Sequence, residues 1–211
     1  MKPILNSIPK QPQSWLIVLG ILGVAAYCLP WLTNPGAGLS FGAYDLAEWA
    51  SLHPAVRASS PTLLTSLLLR LPLACSGLVM AITVWKKNPI KYILLVLLIG
   101  IALLPPLEFF TQYRDDPNYQ QQFALAIITV ILGTANIIIR AERWRSILSV
   151  TIALVGGVSG LIGLIQGYDL MRGFELPTQI GVGGVVFIII SIGIGILMVL
   201  LRPEVGLKQT R

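Results

Sequence analysis

The chain has 211 residues, of which 55% are hydrophobic and 11% are charged, and its mean hydropathy is +0.80. Soluble domains carry about 25% charged residues, so this composition excludes an ordinary soluble domain and favours an integral membrane protein. The formal net charge of +6 does not indicate nucleic-acid binding, because no basic run exceeds two residues and no RNA- or DNA-binding motif is present.

Apolar stretches follow one another along the chain, and six of them predict membrane-spanning helices. About 20 helical residues at 1.5 Å rise cover a hydrocarbon core of about 30 Å, and a helix satisfies its own backbone hydrogen bonds in lipid. The predicted spans are residues 15–32, 63–85, 92–110, 123–139, 147–166 and 180–201. We therefore expect an all-α protein with a single transmembrane domain, residues 1–211, whose six spans form three hairpins.

The first stretch, residues 15–32, also resembles a signal peptide, because a basic head precedes an apolar core. No small-x-small cleavage site follows it, and Tyr27 before Cys28 does not fit a lipoprotein processing site. We expect this stretch to be retained as a span, with both cysteines of the chain acting as small buried apolar residues.

The first loop contains a predicted short helix. Asp45 is placed to cap it, and Glu48, three residues on, completes a capping box. Leu46 and Trp49 share one face, so we expect an interfacial helix that lies on the membrane surface and ends at Pro54.

A proline pair, Pro105-Pro106, interrupts the third span, because proline lacks a backbone donor and clashes with the preceding turn. A polar loop, residues 111–122, separates this span from the fourth.

Charge placement predicts the orientation. With a cytoplasmic N-terminus, the basic residues divide eleven to three in favour of the cytoplasmic side, which is the positive-inside bias. The eleven are Lys2, Lys10, Lys86, Lys87, Lys91, Arg140, Arg143, Arg145, Arg202, Lys208 and Arg211. Seven of the nine carboxylates fall on the outer side. We expect a protein of the cytoplasmic membrane with both termini in the cytoplasm.

Two outer loops share a local pattern. Gly42-Ala43-Tyr44-Asp45-Leu46 occurs in the first and Gly167-Tyr168-Asp169-Leu170 in the third. One interpretation is a duplicated hairpin, with Tyr44, Asp45, Tyr168 and Asp169 forming an outer-face motif. The other is shared turn chemistry, in which glycine permits the bend and aspartate caps the next helix.

The order Leu29-Pro30-Trp31, then a glycine-rich loop and Tyr44-Asp45-Leu46, resembles small bacterial polytopic membrane proteins with an LPW…GYDL pattern. The resemblance covers the first hairpin. It implies a bacterial membrane protein, and it implies no activity.

Arg70 is a charge inside the second span, and such a charge is costly unless it has a partner. Helical rise places Arg70 about 22 Å from Trp85 and Glu108 about 25 Å from Lys91, at similar depth. We predict an intramembrane ion pair between Arg70 and Glu108. The alternatives are that Arg70 snorkels to the headgroups or meets an acidic group of another subunit.

Small residues recur in the last hairpin. Gly156, Gly160, Gly163 and Gly167 share roughly one face of the fifth span, and small residues let helices approach closely in lipid. This face predicts packing of the fifth span on the sixth, or a docking surface for another protein.

The sequence contains no recognisable nucleophile-base set, metal-ligand spacing or phosphate-binding loop, and its single histidine, His53, has no apparent ligand partners. We expect no enzyme activity, no catalytic residues and no cofactor. The predicted function is a non-catalytic accessory or scaffold subunit that contacts lipid and either other membrane subunits or its own copies. The alternative is a small oligomeric transporter or channel for an anionic or small solute, with Arg70 as the anion contact.

Overall fold

The computed structural model describes residues 12–84, 89–135, 142–175 and 177–200, and these are the residues discussed below. Their helices are α1 Pro12–Cys28, α2 Ala43–Leu52, α3 Pro54–Arg57, α4 Leu64–Val84, α5 Pro89–Ala102, α6 Pro117–Ala135, α7 Glu142–Arg172 and α8 Val182–Leu200. A 3-10 helix, Leu107–Phe110, lies between α5 and α6. Short strands also occur, namely β1 Leu32–Asn34, β2 Leu39–Phe41 and β3 Gln179–Ile180.

Three of these helices contain segments long and apolar enough to cross a membrane: Leu64–Thr83, Ile147–Arg172 and Val182–Leu200. Two more apolar helices are shorter, Trp15–Cys28 and Ile90–Ala102. The all-α class is confirmed, and the three long helices are consistent with a membrane protein. The predicted count of six spans is not confirmed, since the described residues provide three.

Helix α4 is central to the bundle. It packs against α1 and α7 on one side and against α5 and α6 on the other, while α8 packs on α1 and α7. A buried aromatic cluster joins the end of α1 to α8: the ring of Trp31 lies 5.6 Å from that of Phe187, and Tyr27 contacts both rings edge-on. The hydroxyl of Tyr27 donates to the carbonyl of Leu69 at 3.1 Å, which ties α1 to α4.

A three-stranded antiparallel sheet lies at one end of the bundle. Strand β1 is central and pairs with β2 and β3. Because β1 follows α1 and β3 precedes α8, this pairing joins the first and last of the loops that were predicted to be outer loops. Strands of two or three residues show no periodicity, so the sequence did not predict the sheet. We call β1, β2, β3, α2 and α3 together the cap.

Helix α2 is present where a short helix was predicted, but its N-cap differs from the prediction. The N-cap residue is Gly42, with extended backbone and no side-chain cap, so Asp45 does not cap the helix. Leu46 and Ala47 are fully buried, and α2 packs against α4. One face of the helix is therefore part of the folded core.

Two predicted boundaries also have clear outcomes. Helix α5 ends at Ala102, just before Pro105-Pro106, so the predicted break is confirmed. Helix α7 runs from Glu142 to Arg172, beyond the predicted 147–166, and it includes the second Tyr-Asp pattern. The basic residues Lys86, Lys87 and Arg140, together with both terminal segments, lie outside the described residues.

Candidate functional site: a buried arginine network

The guanidinium of Arg70, in the second turn of α4, is fully buried and bonded to two other helices. Its Nη2 donates to Glu48 Oε1 of α2 at 2.8 Å and to Asn118 Oδ1 of α6 at 2.7 Å. Its Nη1 donates to Gln121 Oε1 of α6 at 3.2 Å. One cation therefore holds the cap helix and α6 on α4.

The carboxylate of Glu48 accepts further hydrogen bonds. Asn118 Nδ2 donates to Oε2 at 3.2 Å, and Gln122 Nε2 donates to Oε1 at 2.7 Å. Tyr44 lies one turn earlier on α2 and is half-buried near this carboxylate. Burial, and then the Glu48 carboxylate, raise the pKa of Tyr44 above its ordinary value. The ion pair thus has the additional hydrogen bonds that a buried charge requires.

The amides reach Arg70 because of how α6 begins. Asp116 Oδ1 accepts from the backbone N of Asn118 at 2.8 Å, and Pro117 occupies the first helical position, as is typical of helix starts. The buried face of α6 then follows helical spacing through Asn118, Gln122, Leu125, Ala126, Thr129 and Gly133. The stretch predicted as a polar loop therefore continues the buried stripe of the helix.

The predicted ion pair between Arg70 and Glu108 is wrong, because Arg70 pairs with Glu48. Glu108 lies in the exposed 3-10 helix that follows the proline break. Helical rise gives depth only along consecutive helices, whereas the first loop folds back onto α4 and brings Glu48 to Arg70. Arg70 does not snorkel either, since its side chain is fully enclosed by this chain.

The two Tyr-Asp patterns are adjacent in space but have different settings. Leu46, which ends the first pattern, packs on Gly167, where an added Cβ would lie 3.0 Å from the leucine side chain. Tyr44 is half-buried beside the Arg70 network, whereas Asp45 is exposed.

The second pattern lies in the last turns of the continuous helix α7. The guanidinium of Arg172 lies 5.7 Å from the centre of the Tyr168 ring. Asp169 is exposed and lines a cleft. The four motif residues therefore lie near one another without converging on one group.

The four glycines of α7 pack against α4, the end of α1 and the cap. A Cβ atom added to each glycine shows which residue it packs against. At Gly156 the added Cβ would lie closest to Cys75, at Gly160 to Trp31 and Pro72, at Gly163 to Leu69, and at Gly167 to Leu46. The predicted packing of the last two helices on each other is confirmed, but of these four glycines only Gly160 approaches α8, with its built Cβ 3.6 Å from Phe187. The face is covered by this chain and is not free for another protein. Close α7–α8 packing involves Gly157 and Gly184, whose built Cβ atoms approach Ser191 and Leu164.

An open cleft of about 470 Å³ lies between α3, the start of α4 and the end of α7. Thr65 Oγ1 donates to Gln166 Oε1 at 2.8 Å in this cleft. His53 Nδ1 accepts from the backbone N of Ala55 at 3.2 Å, so the neutral ring carries its proton on Nε2.

Some polar atoms around Arg70 have no hydrogen-bond partner among the described residues, namely Arg70 Nε, Ser66 Oγ and Gln122 Oε1.

Nowhere in the described part of the chain do three His, Cys, Asp or Glu side chains form a group able to hold a metal ion. Cys75 is buried as expected, whereas Cys28 is exposed.

Sequence reasoning identified Arg70 but missed Glu48, Asn118, Gln121 and Gln122 as its partners. The i, i+3, i+4 spacing of the three amides, continued by Leu125, is a signal that could have found the partners on α6.

Comparison with known protein families, curated proteins and solved structures gives no match.

Proposed function

We propose that this protein is a non-catalytic integral membrane subunit that serves as an accessory or scaffold for a larger assembly. The observation that carries the proposal is the complete enclosure of Arg70 by its own chain. A deep charge is usually a functional contact, but here its observed hydrogen bonds join α4 to α2 of the cap and to α6. Such a charge supports a rigid folded end rather than a solute path.

We further propose that α1, α4, α5, α6, α7 and α8 all cross the bilayer, with the cap outside and both termini in the cytoplasm. Support comes from two contacts between loops: β1 pairs with β3, and Arg57 of the first loop forms an ion pair with Asp116 of the second at 3.1 Å. Three up-and-down hairpins bring those loops to one end. Most carboxylates of the chain are also at this end, as the positive-inside bias requires.

The loop end also exposes apolar side chains that suit a binding surface. Leu52 is 71% exposed and Leu107 is 81% exposed, and both lie in short elements beyond the ends of the long helices. Phe174 and Ile180 are exposed at the same end. Exposed apolar groups on a polar surface are typical of protein contact sites, so the neighbouring subunit is expected to contact this surface.

The test is affinity purification of the full chain from its native membrane in a mild detergent, followed by quantitative mass spectrometry. We expect a different membrane protein to copurify in a fixed ratio. Leu52→Asp should lower that ratio, whereas Ala37→Asp, which adds the same charge at an exposed turn between β1 and β2, should not. Purification of the chain alone, as a monomer or as identical copies, would refute the accessory role.

A small transporter or channel is the second candidate, and the unpartnered polar atoms Arg70 Nε, Ser66 Oγ and Gln122 Oε1 favour it. Buried polar atoms without partners are uncommon and often have a functional reason. The test is solute uptake by vesicles that contain the purified chain. Uptake that is lost in Gln122→Leu and retained in Gln112→Leu, a change at an exposed position, would support this candidate over the scaffold.

A further inference from the structure

We infer that the cleft between α3, α4 and α7 binds a primary ammonium group carried on a short aliphatic body. This inference does not rest on the accessory role, because its test measures binding of a small ligand by the purified chain; Phe174 lies both in the wall of this cleft and among the exposed apolar groups of the loop end. The cleft has a volume of about 470 Å³, which lies within the usual range of small-ligand sites.

The charge of the cleft selects a cation. Asp169 is the acidic residue of its lining, which contains no basic side chain other than the imidazole of His53. Two arginines of the same end of the molecule have other contacts: Arg172 lies over the Tyr168 ring, and Arg57 pairs with Asp116. The carboxylate of Asp169 therefore remains unneutralised within the described residues.

The remaining groups fit an ammonium better than a metal ion. An ammonium offers three donors, and the lining offers acceptors at Asp169, Thr65 and Gln166, the last two already oriented by their mutual hydrogen bond. One carboxylate and one imidazole are too few ligands for a divalent cation, which takes six or more oxygens as Ca²⁺ or several carboxylates and waters as Mg²⁺.

One wall of the cleft is aromatic. The rings of His53 and Phe174, both in the lining, lie 5.2 Å apart and nearly perpendicular, and Trp49 packs behind both of them. An aromatic face attracts a cation through its quadrupole. Leu170 and Val56 add apolar surface for an aliphatic body. The site thus has an acidic, an acceptor and an apolar side.

Two sources carry this chemistry, a free primary amine and the ethanolamine headgroup of a phospholipid. The cleft lies at the loop end, where we propose the headgroups to be, so both have access to it. The shared element is the ammonium, and the experiment separates the two sources.

The first arm of the test titrates the purified full chain with n-butylammonium and with 1-butanol, which has nearly the same shape and no charge, using ligand-detected NMR. We expect binding of the amine and not of the alcohol. Asp169→Asn should weaken binding by about tenfold or more, since the acceptor of the ammonium loses its negative charge. Asp45→Asn is the matched control, because it alters the aspartate of the same Tyr-Asp-Leu pattern outside the cleft.

Phe174→Leu provides a second variant, since the exposed ring can be shortened without disturbing the fold. It should weaken amine binding by a few-fold. Equal affinity for amine and alcohol would overturn the inference, and so would unchanged amine binding in both Asp169→Asn and Phe174→Leu.

The second arm extracts the chain from nanodiscs of phosphatidylethanolamine and phosphatidylglycerol and measures retained lipid by native mass spectrometry. Selective retention of phosphatidylethanolamine, lost in Asp169→Asn and kept in Asp45→Asn, supports the headgroup as the source. Amine binding in the first arm without this retention supports a free amine. Absence of both overturns the site.

Discussion

Arg70 Nη2 lies 2.8 Å from Glu48 Oε1, and the two side chains differ sharply in exposure, with 0% for the arginine and 34% for the glutamate. The pair is therefore asymmetric. Loss of the carboxylate leaves a wholly buried cation, whereas loss of the cation leaves a carboxylate that already contacts solvent and keeps its bonds to Gln122 and Asn118.

Glu48→Gln should therefore destabilise the protein more than Arg70→Met. Breaking a buried pair costs about 3 kcal/mol at the low end of the measured range, and we expect this value for Glu48→Gln and about half of it for Arg70→Met. The double variant should be more stable than the sum of the single changes implies, because the residues interact directly. Unfolding in mixed micelles with increasing dodecyl sulfate measures all three, and equal losses in the two single variants would contradict the asymmetry.

The exposed pair between Arg57 and Asp116 should contribute little. Asp116→Asn removes the charge but keeps an oxygen for the backbone N of Asn118, so the start of α6 stays capped. We expect a loss of less than about 0.5 kcal/mol, which disappears at high salt because surface charges are screened. The same unfolding measurement at low salt and in molar salt checks this, and a large, salt-independent loss would mean that the pair behaves as a buried one.

The sequence was informative where a single segment decides the structure. Apolar length predicted the helical membrane class, and Pro105-Pro106 marked the end of α5, because proline acts on its own turn. The position of Arg70 pointed to the most polar part of the bundle. Each of these inferences needs no knowledge of which segments meet.

What failed depends on long-range packing. The partner of Arg70 lies 22 residues earlier, in a helix that returns from the first loop onto α4. The face of α7 that carries Gly163 could pack on any neighbour, and it packs on α4. The strands β1 and β3 of the cap are far apart in the chain, with Leu32 paired to Ile180. None of these contacts leaves a local pattern in the sequence.

Two glycines of α8 should respond oppositely to alanine. A Cβ at Gly183 would lie 2.5 Å from the carbonyl oxygen of Leu29 and 2.8 Å from that of Ala26, and backbone atoms yield little. A Cβ at Gly193 meets nothing within 4 Å. Gly183→Ala should cost about 3 kcal/mol, whereas Gly193→Ala should be neutral or stabilise by up to about 1 kcal/mol through helix propensity. Thermal denaturation in detergent compares them, and a similar loss in both would contradict the close approach of α8 to α1.

Tyr44 should make stability fall in alkaline solution. Its pKa is raised in the folded protein by burial and by Glu48, so above about pH 10, the ordinary tyrosine pKa, the unfolded chain loses this proton before the folded one. Unfolding is then favoured, and the contribution present below pH 10 declines as pH rises through the folded value. Tyr44→Phe should show a shallower decline between pH 8 and pH 11 than the unaltered chain. Parallel curves for the two proteins would show that the proton of Tyr44 is not linked to folding.

The arrangement of the loops predicts which positions are reached from outside the cell. In a Cys28→Ser, Cys75→Ser background, single cysteines at exposed Ala37 and Gln112 should react with a membrane-impermeant maleimide in intact cells, because both positions belong to loops joined at the cap end. A cysteine at position 143, among the basic residues that the positive-inside bias places in the cytoplasm, should react only after the membrane is opened. Labelling of positions 112 and 143 from the same side would exclude the proposed crossing by α6. Labelling of positions 37 and 112 from opposite sides would contradict the contact between Arg57 and Asp116, which joins their two loops.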